Sequence, residues 1–319
     1  MSAEEISDKI ESNYDKYLSE SDSGFFDDEI LGGIIKDRGS GWVEGNVGDL
    51  ARECWIAFDS EIPDIAALPV SVLELLPIQL TRTLRVQVTD DHRQYWAWTA
   101  AVVDEISDEG SVIGENIDRH FKILIDLILS KLTGRPTNSD DQQRNRQIRN
   151  NVSPHTQRLT TMHYPIVATY FSYPILEGIL KRLSSEYIKP NGEIRSGQFI
   201  QGMHHRYVPP GNSECSSIRD LLYHYHNTTA NEQMVSKLDY MQSKIEIFGD
   251  KNMYEMVDEW RNFLLHGQEL GGVEAGVLLN LICVLVWGEI DAELYHTDWD
   301  DLYRRVTSVP RDFRYYPAI

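Results

Sequence analysis

The chain is short of cysteine, of lysine and of long apolar runs. Its three cysteines, Cys54, Cys215 and Cys283, stand far apart with no Cys-x-x-Cys pair, so neither a disulfide framework nor a zinc knuckle is indicated. The most apolar stretch, 277–287, is interrupted by Asn280 and falls well short of the roughly 20 residues that span a bilayer. It reads as a core helix, and no membrane contact is expected. Residues 1–20 are polar and acidic where a signal peptide needs a basic start and an apolar run, which gives a cytoplasmic expectation. A Gly-rich phosphate loop, a Gly-x-Ser-x-Gly elbow and a kinase signature are also missing, which weighs against nucleotide hydrolases and serine hydrolases. No alternating strand pattern persists and no solenoid-length repeat is visible, so helices are the regular pattern that remains.

Charge is abundant but one-sided. Fifty acidic against thirty basic residues give a net charge of −20, and Arg outnumbers Lys. Excess carboxylates with few lysines keep a protein hydrated once added salt screens its self-repulsion, so a halophilic origin is expected. An acidic protein of ordinary salinity, or one that mimics nucleic acid, has the same composition. The acidity also opposes simple RNA binding, because phosphate-binding proteins ordinarily carry a basic footprint. Residues 133–160 invert that balance locally, with Arg135, Arg144, Arg146, Arg149 and Arg158 in a polar stretch punctuated by Gly134, Pro136 and Pro154. Arg144, Arg146 and Arg149 are candidate contacts for a nucleic-acid backbone; a solvated linker whose arginines pair with nearby carboxylates fits equally well. Arg149 and His155 do not form a helical pair, because Pro154 precludes a regular helix through them.

With 319 residues and 41% hydrophobic content, the chain can build sizeable cores and has the length for two domains. The fold class expected is all-α. An N-terminal helical domain covers 1–132, a polar linker 133–160, a second bundle 161–296, and a short helix with a tail 297–319. In the first part, Ile6, Ile10, Tyr14 and Leu18 recur at steps of four, and 50–58, 95–106 and 117–132 carry helical stripes. Ser71-Val72-Leu73-Glu74 has the form of a capping box opening a helix at Val72, with Pro77 inside it or near its kink. In the second part a strong stripe over 164–187 runs past Pro174, expected to kink or restart the helix. Ser217-Ile218-Arg219-Asp220 is a second box-like start, with a break expected at 227–231. Thr297-Asp298-Trp299-Asp300 has the same form.

Met253, Met256, Val257, Trp260, Phe263 and Leu264 recur at steps of three and four, the signature of an amphipathic helix, and Gly267 reads as its stop. This helix carries Arg261, Asn262 and His266. Arg is permanently charged and presents a planar fork to phosphate oxygens, while His exchanges a proton near neutrality; together they supply what metal-free phosphodiester cleavage needs. At about 100° per residue, with Trp260 in the middle of the apolar stripe, Arg261 lies about 100° to one side and His266 about 120° to the other. A straight helix therefore cannot bring both onto one phosphate. Either the last turn unwinds at Gly267 or a second subunit supplies the missing half, and a two-fold dimer with facing motif helices is favoured. The competing reading makes Arg261 the partner of Glu255 or Asp258, and His266 a cap on the last carbonyls of its helix.

The Arg, polar residue, short spacer and His at 261, 262 and 266, on a late helix of an all-helical bundle, resemble the HEPN superfamily. The likeness extends loosely over 160–295. It implies a metal-independent endoribonuclease, with no cofactor, in which His266 assists attack of an RNA 2′-hydroxyl on the neighbouring phosphorus. Arg261 would steady the developing negative charge, and Asn262 would orient the phosphate or the His. A role in defence or stress, RNA as substrate, a homodimer and a regulatory protein partner are implied by the family alone. The alternative is a non-catalytic helical dimerisation or scaffold module that binds a protein partner. Histidines His204, His205, His224 and His226 suggest a metal, but His224 and His226 on a regular helix point about 200° apart, whereas helical metal pairs use three- or four-residue spacing; no metal site is assigned.

Overall fold

A computed structural model of the chain describes residues 66–81, 113–129, 163–195, 214–245, 251–268 and 272–290, with scattered positions among 8–12, 95–103, 142–150 and 292–295. The described residues form helices and no sheet, as expected for an all-α protein. The strand-like pairings among them are isolated bridges, Ile188 with Ile194 and Glu193 with Glu214.

Helix α1 spans Val70–Thr81 and starts earlier than its sequence suggests. The carbonyl of Pro69 accepts from the backbone N–H of both Val72 and Leu73, each at 3.0 Å, so Ser71 lies inside the helix and is exposed. The capping box expected there is therefore not the start. Glu74, which would have reached back to it, is buried and paired with Lys237. Helix α2 spans Glu115–Leu129 and begins at Gly114, whose φ of 69° favours a residue without Cβ.

Helix α3 spans Tyr164–Leu183, opened by Pro165 in its first turn and continuous through Pro174. Pro174 is exposed, so the missing N–H faces the solvent side and the helix does not restart there. Helix α4, Ile218–His224, begins as the sequence indicates, with Ser217 Oγ accepting from the N–H of Asp220 at 3.3 Å. It runs into a π-helical turn, Tyr225–Thr229, and the chain straightens at Ala230. Asn231 Oδ1 then accepts from Met234 N at 2.8 Å and opens helix α5, Glu232–Ile245. Helix α6, Met253–Leu265, is capped by Asn252, and helix α7 spans Gly272–Trp287.

The apolar character of α7 all round its circumference puts it at the centre: Val277 through Trp287 are all buried, and it packs between α3 and α1. On its other side α3 meets α2, where Gly178 lets Ile117 approach closely, and α4 meets both α3 and α6. Helical residues 95, 96 and 98–103 join the same core. Tyr95 donates to the carbonyl of Leu73 at 3.1 Å, and Trp98 Nε1 donates to the Tyr295 hydroxyl at 3.0 Å, which in turn donates to the carbonyl of Ala66 at 3.0 Å. Described helices from both sides of the 133–160 stretch contribute to one hydrophobic cluster. The expected helix at 50–58 and the short helix with its tail at 297–319 lie outside the described residues. Among the described residues no helix is long and apolar enough to cross a membrane.

Candidate functional site

Helix α6 is fixed at both ends by backbone chemistry. At its start Asn252 Oδ1 accepts from Glu255 N at 3.0 Å. At its end Gly267 takes a φ of 77°, its N–H donates to the carbonyl of Leu264 at 2.9 Å, and the N–H of Gln268 donates to Phe263 at 2.9 Å. This pair of bonds is the Schellman closure that glycine permits. The stop expected at Gly267 is in place, and the last turn does not unwind. Of the apolar stripe, Met253, Met256, Val257, Trp260 and Leu264 are buried, with Tyr254 beside them, while Phe263 is half-buried against the core.

The polar residues of the motif accordingly stay on the shoulders and outer face. His266 is the C-cap residue and is exposed; its ring makes no hydrogen bond or ion pair among the described residues. Asn262, one turn earlier on the same exposed face, donates from Nδ2 to Asp258 Oδ2 at 3.4 Å. Arg261 is on the other shoulder and is about a quarter exposed, at 27%. Its Nη1 donates to the carbonyl of Ser216 at 2.7 Å, just before α4, and its Nη2 lies 3.6 Å from Glu177 of α3. The carboxylate facing Arg261 therefore comes from a different helix, not from Glu255 or Asp258 as local spacing suggests. Within one protomer the helix brings Asn262 and His266 together and does not bring Arg261 to them.

Two tyrosines of α3 brace this helix. Tyr170 donates to the carbonyl of Leu264 at 2.9 Å and Tyr173 to that of Val257 at 2.9 Å. Burial holds the Tyr173 phenol well above its ordinary pKa; Asp258 acts the same way, Arg261 opposes it, and Glu274 adds to the rise. Glu177, Asp258 and Glu274 thus make the surroundings of the Arg261 guanidinium acidic. Leu265, on the outer face between the two shoulders, is 66% exposed. Of the three candidate RNA-contacting arginines, Arg146 is helical and exposed, and Arg144 and Arg149 lie outside the described residues.

A second polar cluster escaped the sequence reading. In the π-helical turn, His226 Nδ1 faces the Tyr254 hydroxyl of α6, and its Nε2 lies 3.1 Å from Asp239 Oδ1 of α5. Burial lowers the His226 pKa, with Asp239 pulling it back up. His224 is fully buried, edge-on to Tyr187 with ring centroids 4.7 Å apart, and burial pushes its pKa down to about 4. The two histidines diverge as their spacing indicates, but each has an aromatic partner that no local pattern reveals. Among the described residues no group of three His, Cys, Asp or Glu side chains could hold a metal ion. Cys215 and Cys283 are buried and form no disulfide, and burial raises the Cys283 thiol well above its usual value.

Fold and site together define an all-helical bundle whose motif helix presents a polar shoulder and a solvent-facing His. No family model, no curated protein and no solved structure matches the chain.

Proposed function

We propose that the chain is a metal-independent endoribonuclease of HEPN type. His266 acts as general base on an RNA 2′-hydroxyl, the 2′-oxygen attacks the adjacent phosphorus, and the bond to the 5′-oxygen breaks as that oxygen takes a proton from water, leaving a 2′,3′-cyclic phosphate and a 5′-hydroxyl. Arg261 offsets charge that builds on the non-bridging oxygens, and Asn262 orients the phosphate. The observation that carries this reading is the end of α6: a regular helix closed at Gly267 leaves the imidazole of His266 and the amide of Asn262 exposed one turn apart. Because Arg261 lies on the opposite shoulder, the reading needs two protomers with their α6 helices facing, and exposed Leu265 supplies apolar surface for that contact. RNA is the substrate, Arg144, Arg146 and Arg149 are its backbone contacts, and a protein partner or the N-terminal helices restrain cutting in a defence or stress setting.

One observation favours a second reading, a non-catalytic dimerisation or scaffold module. Arg261 already clasps the Ser216 carbonyl and Glu177, and so ties α6 to the start of α4 and to α3. For catalysis the guanidinium must exchange Glu177 for phosphate. Incubation of the purified chain with defined RNAs in high salt and EDTA, beside His266→Ala and Arg261→Lys, separates the two. Cleavage to cyclic phosphate ends that disappears in His266→Ala and falls at least tenfold in Arg261→Lys, about 1.4 kcal/mol of transition-state stabilisation, supports the nuclease. Cleavage that is absent, or equal in all three proteins, favours the scaffold.

A further inference from the structure

Helix α3 lies between α6 and α2, and its solvent side forms a face that joins them. From α3, Tyr170 and Tyr173 reach α6, while Phe171 and Gly178 meet His120 and Ile117 of α2. At about 100° per residue those two sets mark separate flanks of α3, and His163, Val167 and Pro174, all exposed, fall between them. The α2 helix runs antiparallel to α3, since Ile117 meets Gly178 and His120 meets Phe171, so Ile123, 49% exposed, comes level with Val167. On the other flank the Tyr170 hydroxyl donates to the Leu264 carbonyl, the acceptor that also takes the Gly267 N–H and closes α6. The face therefore begins beside the exposed His266 and crosses α3 to α2.

Tyr170 and Tyr173 brace α6 alike, yet Tyr173 is 6% exposed and Tyr170 47%. Bracing does not require that exposure. With its hydroxyl anchored, Tyr170 offers nearly half its surface in a fixed orientation, so little freedom is lost when a flat group settles on it. Charge narrows what that group is. Fifty residues of the chain are acidic, but the exposed positions described on this face are His120, Ile123, His163, Val167, Pro174 and His266, with no carboxylate among them. Glu177 and Asp258, at the α6 edge, are engaged, Glu177 by Lys181 and Arg261, Asp258 by Asn262. A phosphate backbone is thus not repelled here as it is by a carboxylate-rich surface, and Tyr and His rings are platforms on which unpaired bases stack. Ile123 and Val167 alone supply too little apolar surface for the centre of a stable protein interface, whereas a strand needs one ring per base.

We infer that this face binds unpaired RNA, with one nucleobase stacked on Tyr170 and the adjoining backbone led towards His266. The ligand class rests on the nuclease reading. Stacking uses the π-face that every base has, so the platform holds a strand without selecting its sequence and discriminates against a duplex, whose bases are already stacked on one another.

The full chain is mixed with a short 2′-O-methyl RNA strand, which lacks the attacking hydroxyl and cannot be cut, carrying 2-aminopurine at each position in turn. Affinity is read from the anisotropy of a terminal dye, and stacking from quenching of the 2-aminopurine. The parent protein is expected to quench one position strongly and to bind the strand about tenfold tighter than its duplex. Tyr170→Phe keeps the ring and loses the bond to Leu264, and is expected to retain affinity and quenching even if its melting temperature falls. Tyr170→Leu is expected to lose the quenching and about fivefold or more in affinity. Val167→Glu, at a position 37% exposed and outside the brace, puts a carboxylate on the face and is expected to weaken binding without lowering the melting temperature. No binding of the strand, equal binding of the duplex, unchanged affinity in Tyr170→Leu or Val167→Glu, or equal losses in Tyr170→Phe and Tyr170→Leu overturns the proposal. A Val167→Glu protein that splits a dimer and binds RNA as the parent does also overturns it, and assigns the face to a second copy. Cleavage of the matching 2′-hydroxyl strand is scored separately. Cutting by a Tyr170→Leu protein of parental affinity removes the platform and leaves the nuclease; Tyr170-dependent binding with no cutting removes the nuclease and leaves the platform.

Discussion

At the scale of single residues, burial decides more than local sequence does. His224 is wholly enclosed and its pKa sits near 4, below the ordinary 6.5. Above pH 6.5 the ring is neutral whether the chain is folded or not, and it leaves stability unchanged. As pH falls from 6.5 towards 4 the unfolded chain takes up the proton and the folded chain does not, so stability is lost across that window, by about 3 kcal/mol. Urea midpoints measured between pH 7 and 4 should therefore fall less steeply in His224→Gln than in the parent. Gly267 offers a cleaner case. A Cβ there would meet nothing within 4 Å, so Gly267→Ala tests the φ of 77° alone and should cost about 1 kcal/mol in denaturant unfolding. The glycine was legible because it follows an apolar stripe and glycine is the residue most often used where a helix ends in the left-handed conformation. The partner of Arg261 was not: Glu177 stands 84 positions upstream, and side-chain spacing along one helix could only suggest Glu255 or Asp258.

Helices were read from the sequence where a stripe and a cap coincide. Ser217 with Asp220 marks α4, and the apolar stripe marks α6, because both signals act within a few residues. Pro69 displaced the expected start of α1: a carbonyl placed just before the helix collects two N–H groups, so the Ser71 hydroxyl is not needed. The π turn had only the hint of a break at 227–231, since its residues are held by Tyr254 and Asp239 from other helices. For α6 the cap can be weighed directly. Asn252→Ala removes the acceptor for Glu255 N and should destabilise the protein by about 1 kcal/mol, whereas Asn252→Asp should retain most of that and add favourable charge at the helix start. Thermal unfolding of the two variants checks the order. Equal melting points for Ala and Asp would mean that the tyrosine braces at Val257 and Leu264, not the cap, hold this helix.

For the molecule as a whole, the all-α class followed from composition and periodicity, while the joining of the two halves did not, because hydrophobic stripes say that a face is buried and not against what. The Glu74 and Lys237 pair is one such join, linking α1 to α5 with both side chains largely enclosed. Burial raises the Glu74 pKa more than Lys237 lowers it. Lys237→Met should cost about 3 kcal/mol by leaving a carboxylate enclosed without its cation, and adding Glu74→Leu should recover most of the loss. Equilibrium urea unfolding of single and double variants measures both. The seating of α1 against α7 has a further consequence during synthesis. The ribosome releases the chain from the N-terminus, and the face of α1 that packs on α7 stays uncovered until residues 272–287 emerge some two hundred positions later. Chains truncated before α7 are therefore expected to expose an apolar helix and to aggregate more readily than the full chain.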